Sequence, residues 1–134
     1  WKTYTHEDLG YRIKYPSNWT VKDCDSDGCG LLKGITIKPP DAENFTSYIS
    51  IAKVRRSLDS ARKSYLDTNN WEGEIFKEKK VIFADKEAYY YYDGPFPNSI
   101  GIIIPHNNRI YSIDSQKIDN PKVTQSLASF EFIE

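Results

Sequence analysis

The chain lacks the features that identify several broad classes of protein. Its 134 residues carry 18 Lys and Arg against 19 Asp and Glu, a net charge of −1. It therefore lacks the basic excess that nucleic acids and anionic membranes usually attract, and no nucleic-acid partner is expected. No apolar run approaches the roughly 20 residues of a membrane span. The longest run, IGIII at 100–104, fits a buried strand.

Methionine is absent, and cysteine is rare. The chain starts at Trp1, so we expect it to be a trimmed or mature form of a longer protein. We expect a signal peptide or a lipid-anchor segment before Trp1 in that longer protein. Two close cysteines, Cys24 and Cys29, with no others fit an oxidising compartment. These features predict an exported protein of the periplasm or cell surface. We also expect the protein to be a monomer. Contact with the membrane is expected only through a lipid-anchor segment before Trp1.

The length predicts one domain that spans residues 1–134. Within it, most of the sequence has the pattern of β-strands. Tyr11, Ile13 and Tyr15 alternate with basic residues, which is the period of a half-buried strand, after a shorter strand and a turn at Gly10. An extended piece with Trp19 and Val21 follows. Further strands are predicted in GITIKPP (34–40), SYISIAKV (47–54), GEIFKEKKVIF (73–83), EAYYYYDG (87–94), SIGIII (99–104) and RIYSIDS (109–115).

Two helices interrupt the strands. RSLDSARKSYLDTNN (56–70) has an N-cap at Ser57, apolar residues on one face, and possible stops at Asn69 and Asn70. Asn120 followed by proline predicts a short last helix that leads into a final strand. Short turns between neighbouring strands indicate antiparallel pairing. The pattern predicts an α+β fold with a central antiparallel sheet flanked by helices.

Four segments resemble, in order, the PsbP-like family. The first contains a glycine, an alternating strand, a proline and a tryptophan, and the second is a turn before a tyrosine-rich strand. The third is a polar hairpin, and the fourth is a closing helix and strand. The segments are GYRIKYPSNW (10–19), ADKEAYYYYDG (84–94), HNNRIYSIDSQ (106–116) and VTQSLASFEF (123–132).

The resemblance implies an α/β/α sandwich around an antiparallel sheet. Members include a lumenal subunit of photosystem II, a nuclear Ran-binding protein and many exported bacterial proteins, often lipoproteins. Activity is not shared across such a family, because fold does not carry function. The metal-associated residues of the plant members have no counterpart here. The richness in Lys, Asn and Ile favours a bacterial member.

One acidic stretch matches half of a calcium loop. A full EF-hand loop needs oxygen ligands at alternate positions and a glutamate at position 12. Leu31 and Gly34 stand where the later ligands belong. A weak calcium site therefore remains one hypothesis for the three aspartates, which are Asp23, Asp25 and Asp27.

The same stretch holds both cysteines. The residues DSDG separate Cys24 from Cys29 and include a turn dipeptide, so a hairpin here would bring the two within disulfide range. A stapled turn is the favoured interpretation, and reactive thiols are a further alternative. The C-x-x-C spacing of a redox pair is absent.

Tyrosines and histidines supply the remaining candidates. In the run 89–92, alternate tyrosines face opposite sides of a strand. Packing explains most of them, and Tyr90 with Tyr92 form a possible partner surface. His6, in a cluster with Glu7 and Asp8, is interpreted as part of a solvated turn, and His106 as an exposed hairpin tip.

No catalytic constellation appears, so we predict a protein that is not an enzyme. The chain has no GxSxG motif, no Gly-rich phosphate loop and no complete metal-ligand set. The leading hypothesis is a noncatalytic exported binding or assembly module with no required cofactor and a protein or cell-envelope partner. The alternatives are a calcium-dependent module and an enzyme whose site is built from scattered residues.

Overall fold

The computed structural model describes residues 1–24, 33–41, 48–67 and 75–133, and only the backbone of Cys24. These residues contain ten strands and two helices. They are β1 (Lys2–His6), β2 (Tyr11–Tyr15), β3 (Thr20–Cys24), β4 (Gly34–Lys38), β5 (Ile49–Val54), α1 (Leu58–Leu66), β6 (Lys77–Phe83), β7 (Lys86–Tyr92), β8 (Ile100–His106), β9 (Arg109–Ser115), α2 (Pro121–Ala128) and β10 (Glu131–Phe132).

Seven strands form one antiparallel sheet in the order β3-β4-β5-β9-β8-β7-β6. Two of its hairpins turn within two residues, at Ala84–Asp85 and at Asn107–Asn108, and all four residues have positive φ. This backbone suits the tight turns that match the twist of paired strands. The predicted antiparallel sheet is thus confirmed. The second turn is shorter than expected, because β8 continues to His106.

A second, smaller sheet departs from the single central sheet that the sequence predicted. Its order is β1-β2-β10. Tyr11 and Ile13 of β2 are fully buried in one core with the isoleucines of the large sheet, and the Tyr111 hydroxyl donates to the Leu9 carbonyl at 2.8 Å. The β1–β2 hairpin has one apolar side, so it packs on a face of the large sheet instead of extending its edge.

Helix α2 begins as the sequence indicated. The Asn120 side chain accepts a hydrogen bond from the Lys122 backbone N–H at 3.0 Å, and Pro121 occupies the first helical position. Val123 and Leu127, four residues apart, are buried in the core that lies between the two sheets. The helix therefore completes the layer that the small sheet begins.

Two serines of this region continue the pairing of β2. Strand β10 pairs with β2 only at Tyr11 and Arg12. Beyond that point, the Ser126 hydroxyl donates to the Lys14 carbonyl at 2.5 Å, and the Lys14 N–H donates to the Ser129 hydroxyl at 2.8 Å. Side-chain oxygens thus satisfy backbone groups that a longer β10 would otherwise pair.

Helix α1 covers the opposite face of the large sheet. Its N-cap is Ser57, as predicted, with the Ser60 N–H donating to the Ser57 hydroxyl at 3.2 Å. Ala61 and Tyr65 are buried against a cluster that includes Ile103. The layers are therefore α1, the seven-stranded sheet, and then the small sheet with α2, which confirms the α+β fold.

The C-terminal end of α1 comes earlier than the sequence suggested. The helix ends at Leu66, and Asp67 is already extended, with φ −88° and ψ 114°. A carboxylate is unfavourable at the negative end of a helix dipole, which accounts for a stop before the predicted Asn69 and Asn70.

The tyrosine run divides between the two faces, as the strand period required. Tyr89 and Tyr91 belong with the cluster under α1, while Tyr90 and Tyr92 pack against the core on the other face. Tyr91 is fully buried, and its ring stacks on Tyr65 with centroids 4.2 Å apart.

An ion pair fixes α1 to the edge of the sheet. Arg62 donates to both oxygens of Glu78, at 3.1 Å from Nε and 2.8 Å from a terminal nitrogen. The Tyr91 hydroxyl donates to the same carboxylate at 2.6 Å. Hydrogen bonding from Arg62, supported by Tyr91 and opposed by burial, lowers the pKa of Glu78. The guanidinium also lies 4.2 Å from the centre of the Tyr89 ring.

We expect Glu78→Gln to destabilise the protein at pH 7 by about 1–2 kcal/mol, because Arg62 and Tyr91 lose a charged, half-buried partner. The folded-state pKa of Glu78 lies below its ordinary value of 4.5. The carboxylate's stabilisation is therefore present above pH 4.5 and is lost as the pH falls through the folded-state pKa. Urea unfolding of both proteins from pH 7 to pH 2 measures this difference.

The matched control is Glu87→Gln, an exposed carboxylate on the same face of the sheet. It should leave the free energy of unfolding unchanged within about 0.5 kcal/mol. A Glu78→Gln effect that stays constant down to pH 2 would contradict the ion-pair account.

Candidate functional site

A row of residues crosses the α1 face of the large sheet through direct strand pairing. Glu78 of β6 pairs with Tyr91, Tyr91 with Gly101, Gly101 with Asp114, and Asp114 with Ser50 of β5. Directly paired residues share a face. The row therefore places a glycine between a tyrosine and an aspartate at the centre of the sheet.

Tyr65 of α1 occupies the space over that glycine. A Cβ atom at Gly101 would lie 2.5 Å from the Cε1 and Cζ atoms of Tyr65, closer than real contacts allow. The ring stacks on Tyr91 at an interplanar angle of 10°, and the hydroxyl donates to Asp114 Oδ1. The Tyr65 side chain thus contacts both Tyr91 and Asp114, because its ring lies over Gly101, which has no side chain.

A cleft of about 550 Å³ opens beside this tyrosine, and we call it the Tyr65 cleft. One part of its lining is aromatic, with Phe76 and Phe96, and Phe96 is 52% exposed. The other part is polar and includes Ser50, Asp114, Gln116 and Lys117. Clefts of roughly 300–1,000 Å³ with apolar walls and a few convergent polar groups are the usual form of a small-molecule site.

Two loops that form the cleft are held in uncommon backbone conformations. Asn98, between β7 and β8, has φ 57°, and Lys117, after β9, has φ 58°. The Ile118 N–H donates to the Asn98 carbonyl at 3.1 Å, which joins the two loops. Positive φ costs energy in residues other than glycine, so tertiary contacts have to maintain this geometry.

The carboxylate of Asp114 is the principal electrostatic feature of the cleft. Asp114 keeps accessible surface at the cleft, while the protein that surrounds its carboxylate raises the pKa by desolvation. Hydrogen bonds from Tyr65 and from the Ser112 hydroxyl, the latter at 3.4 Å, lower the pKa of Asp114 and so oppose the effect of desolvation. Burial and the nearby carboxylate together raise the pKa of Tyr65, so the phenol remains a donor.

The predicted partner surface lies on the other face of the sheet. Tyr90 and Tyr92 are half-buried and stack with centroids 5.5 Å apart. The Lys79 ammonium lies 5.4 Å and 5.0 Å from the two ring centres. This aromatic pair is therefore separate from the Tyr65 cleft, and its role as a partner surface stays a prediction.

The aspartate and cysteine stretch is described only at its start. Asp23 is exposed near the end of β3 and accepts a hydrogen bond from the Tyr4 hydroxyl at 2.7 Å. Asp25, Asp27 and Cys29 lie outside the described residues, as does the side chain of Cys24. The calcium and disulfide hypotheses consequently remain predictions.

His6 and His106 differ from the exposed residues that the sequence suggested. His6 is 5% exposed, and its Nδ1 accepts from the Leu9 N–H at 3.2 Å. It is the last residue of β1, opposite Tyr11, where the strand turns inward. His106 ends β8, and its ring stacks on Phe132 at 4.0 Å. Both histidines therefore serve the packing around the small sheet.

Metal-binding and membrane-spanning features are both absent from the part of the chain that the structure describes. No three His, Cys, Asp or Glu side chains among these residues form a group that could hold a metal ion. Neither of the two helices found there has the length and apolar character needed to cross a bilayer.

Sequence reasoning did not identify Tyr65 and Asp114 as a site. The helical period places Tyr65 with the apolar residues on one face of the predicted helix, but it gives no sign of the hydrogen bond to Asp114. The alternation in RIYSIDS does place Asp114 opposite the buried Ile113. The alignment of Asp114 with Gly101 follows from the two-residue turn at Asn107–Asn108, which sets the register of β8 and β9. The longer turn that the sequence suggested would pair Gly101 with a different residue.

Comparison with known proteins identifies a solved structure with a similar fold. No family model matches the chain, and no curated protein matches it in sequence. The solution structure of cyanobacterial PsbP (CyanoP) from Synechocystis sp. PCC 6803 is similar, with a TM-score of 0.62 and 12% sequence identity. The match covers 98% of this chain and 91% of that chain. The chain therefore has a PsbP-like fold, as the four sequence segments indicated.

Proposed function

We propose that this chain is a noncatalytic binding module that holds a small ligand in the Tyr65 cleft. The observation that carries the proposal is the arrangement of the cleft, in which an exposed aromatic residue, Phe96, shares the lining with a carboxylate that Tyr65 fixes in place. Such a site is ready to bind without rearranging, and preorganisation of this kind favours affinity.

The state of the polar groups supports binding over catalysis. Acid–base chemistry needs a group that is free to exchange a proton with the substrate. The Tyr65 hydroxyl donates to Asp114 and has a raised pKa. Asp114 is the single carboxylate of the described lining, with no second carboxyl group beside it to act as the opposite acid or base. The PsbP-like fold is compatible with a binding or assembly role, although fold alone does not determine function.

The test is a fragment screen by two-dimensional NMR of the ¹⁵N-labelled protein, with neutral, cationic and anionic fragments of similar size. We expect the binding fragments to shift the amide signals of Gly101, Asp114 and Gln116, because these residues lie in or under the cleft. Phe96→Ala should weaken the binding at least tenfold. Lys79→Ala, on the opposite face of the sheet, is the control and should leave it unchanged.

Signals that shift only around Tyr90 and Tyr92 would move the binding site to the other face and contradict the cleft assignment. A fragment that is chemically converted, with conversion lost in Asp114→Asn, would contradict the noncatalytic role.

We further propose that the protein is exported and that its partner belongs to the cell envelope. The pair of cysteines, with no other cysteine in the chain, supports this compartment. A disulfide between Cys24 and Cys29 would close a loop of four intervening residues at the end of β3. On the chain-entropy model, this disulfide would stabilise the folded protein by about 2 kcal/mol.

For protein isolated from the exported fraction, thiol titration after denaturation without reductant should detect no free thiol. The same titration after reduction should detect both cysteines, which serves as the internal control. Two free thiols in the unreduced sample would refute the disulfide and remove the main support for an oxidising compartment.

A further inference from the structure

We infer that the Tyr65 cleft selects a neutral saccharide, with a pyranose ring placed against Phe96 and its hydroxyls directed at Asp114. This inference rests on the proposed binding function and assigns the chemical class of the ligand. Three properties of the described lining support it: its charge balance, its division into an apolar and a polar part, and the supply of hydrogen-bonding groups.

The charge of the lining favours a ligand without net charge. Among the lining residues that the structure describes, the charged ones are Asp114 and Lys117, one of each sign. An anionic ligand near Asp114 would meet a carboxylate whose pKa desolvation already raises. A cationic ligand would meet the Lys117 ammonium at the same opening. Each such ligand would be attracted by one of the two residues and repelled by the other, so the lining gives no net attraction for an anion or a cation, and a neutral polar ligand suits it.

The division of the lining matches the two surfaces of a pyranose. Such a ring has apolar C–H groups on its faces and hydroxyl groups around its edge. Phe96, which is half exposed, and the neighbouring Pro97 provide an apolar surface for the C–H groups. The polar residues on the sheet side of the cleft meet the edge. A flat aromatic ligand would leave those polar groups unsatisfied, which is costly.

The hydrogen-bonding groups suit hydroxyls, which both donate and accept. Asp114 receives one bond from Tyr65 and a long one from Ser112, and an ionised carboxylate has sites for more donors. Bonds to an ionised acceptor are about twice as strong as neutral ones. Ser50, Asn98 and Gln116 add side chains that can donate or accept.

Binding without hydrolysis is consistent with the same lining. Glycoside hydrolysis generally uses two carboxyl groups, about 5 to 9.5 Å apart, on either side of the scissile bond. Asp114 is the single carboxylate among the described lining residues. The cleft therefore has the acceptor that recognises hydroxyls, with no second described carboxyl group beside it.

The experiment uses two trisaccharides with the same backbone: tri-N-acetylchitotriose, which is neutral, and its deacetylated counterpart, the cationic glucosamine trimer. Maltotriose and trigalacturonic acid form a second pair, neutral and anionic. Calorimetry and NMR titration of the full chain should show binding of at least one neutral member at millimolar or lower concentration. Each charged counterpart should bind at least tenfold more weakly.

Two variants localise the effect. Phe96→Ala removes the apolar surface, and Asp114→Asn keeps an acceptor for Tyr65 while removing the charge, so both should weaken neutral-saccharide binding at least tenfold. Glu87→Gln is the control on the same face of the sheet and should bind as the parent does. Amide spectra establish that each variant is folded.

The outcomes separate this inference from the proposed function. If fragments bind in the cleft but no neutral saccharide does, or if the charged sugars bind equally well, the saccharide assignment is wrong and the binding module stands. If no probe of any class shifts the cleft signals, both proposals fail. Saccharide binding that survives Phe96→Ala and Asp114→Asn unchanged would place the sugar elsewhere and overturn the inference.

Discussion

The contact between Tyr65 and Gly101 is the constraint on which the cleft depends. A side chain at position 101 would occupy the space that the Tyr65 ring fills. Only with a glycine there can the ring lie flat against Tyr91 and place its hydroxyl on Asp114. One missing side chain at the centre of a sheet therefore allows a helix residue to organise a polar group on a neighbouring strand.

The rest of the fold keeps that arrangement rigid. Arg62 and Glu78 hold α1 to the sheet edge beside Tyr91. On the opposite face, the small sheet and α2 bury the isoleucines of the central strands, so that face is closed by packing. The row of paired residues that includes Asp114 and Ser50 thus lies on the α1 face, where each member stands on a strand of the sheet. Sites built on such elements hold their geometry more accurately than sites on loops alone.

Much of the fold can be predicted from patterns among neighbouring residues in the sequence, whereas the arrangement of the Tyr65 cleft cannot. Alternation predicted the strands around Tyr11 and Tyr90, and capping residues such as Ser57 predicted the helix starts, because these patterns depend on near neighbours in sequence. The separate β1–β2–β10 sheet and the burial of His6 depend on which surfaces meet in three dimensions. The pairing of Gly101 with Asp114 depends on the register of the β8–β9 hairpin, which is set by a turn shorter than the sequence suggested. The position of Tyr65 over this pair depends on the packing of α1 on the sheet.

A double-mutant cycle between positions 65 and 101 tests this account most directly. In the parent protein, Gly101→Ala should lower the free energy of unfolding by about 1–3 kcal/mol, because the added methyl group overlaps the Tyr65 ring. Tyr65→Leu removes the overlapping ring atoms, so Gly101→Ala should cost little in that background, where alanine also avoids the entropy cost of a glycine within a strand. Equal costs in both backgrounds, measured by urea unfolding, would contradict the claim that this contact organises the site.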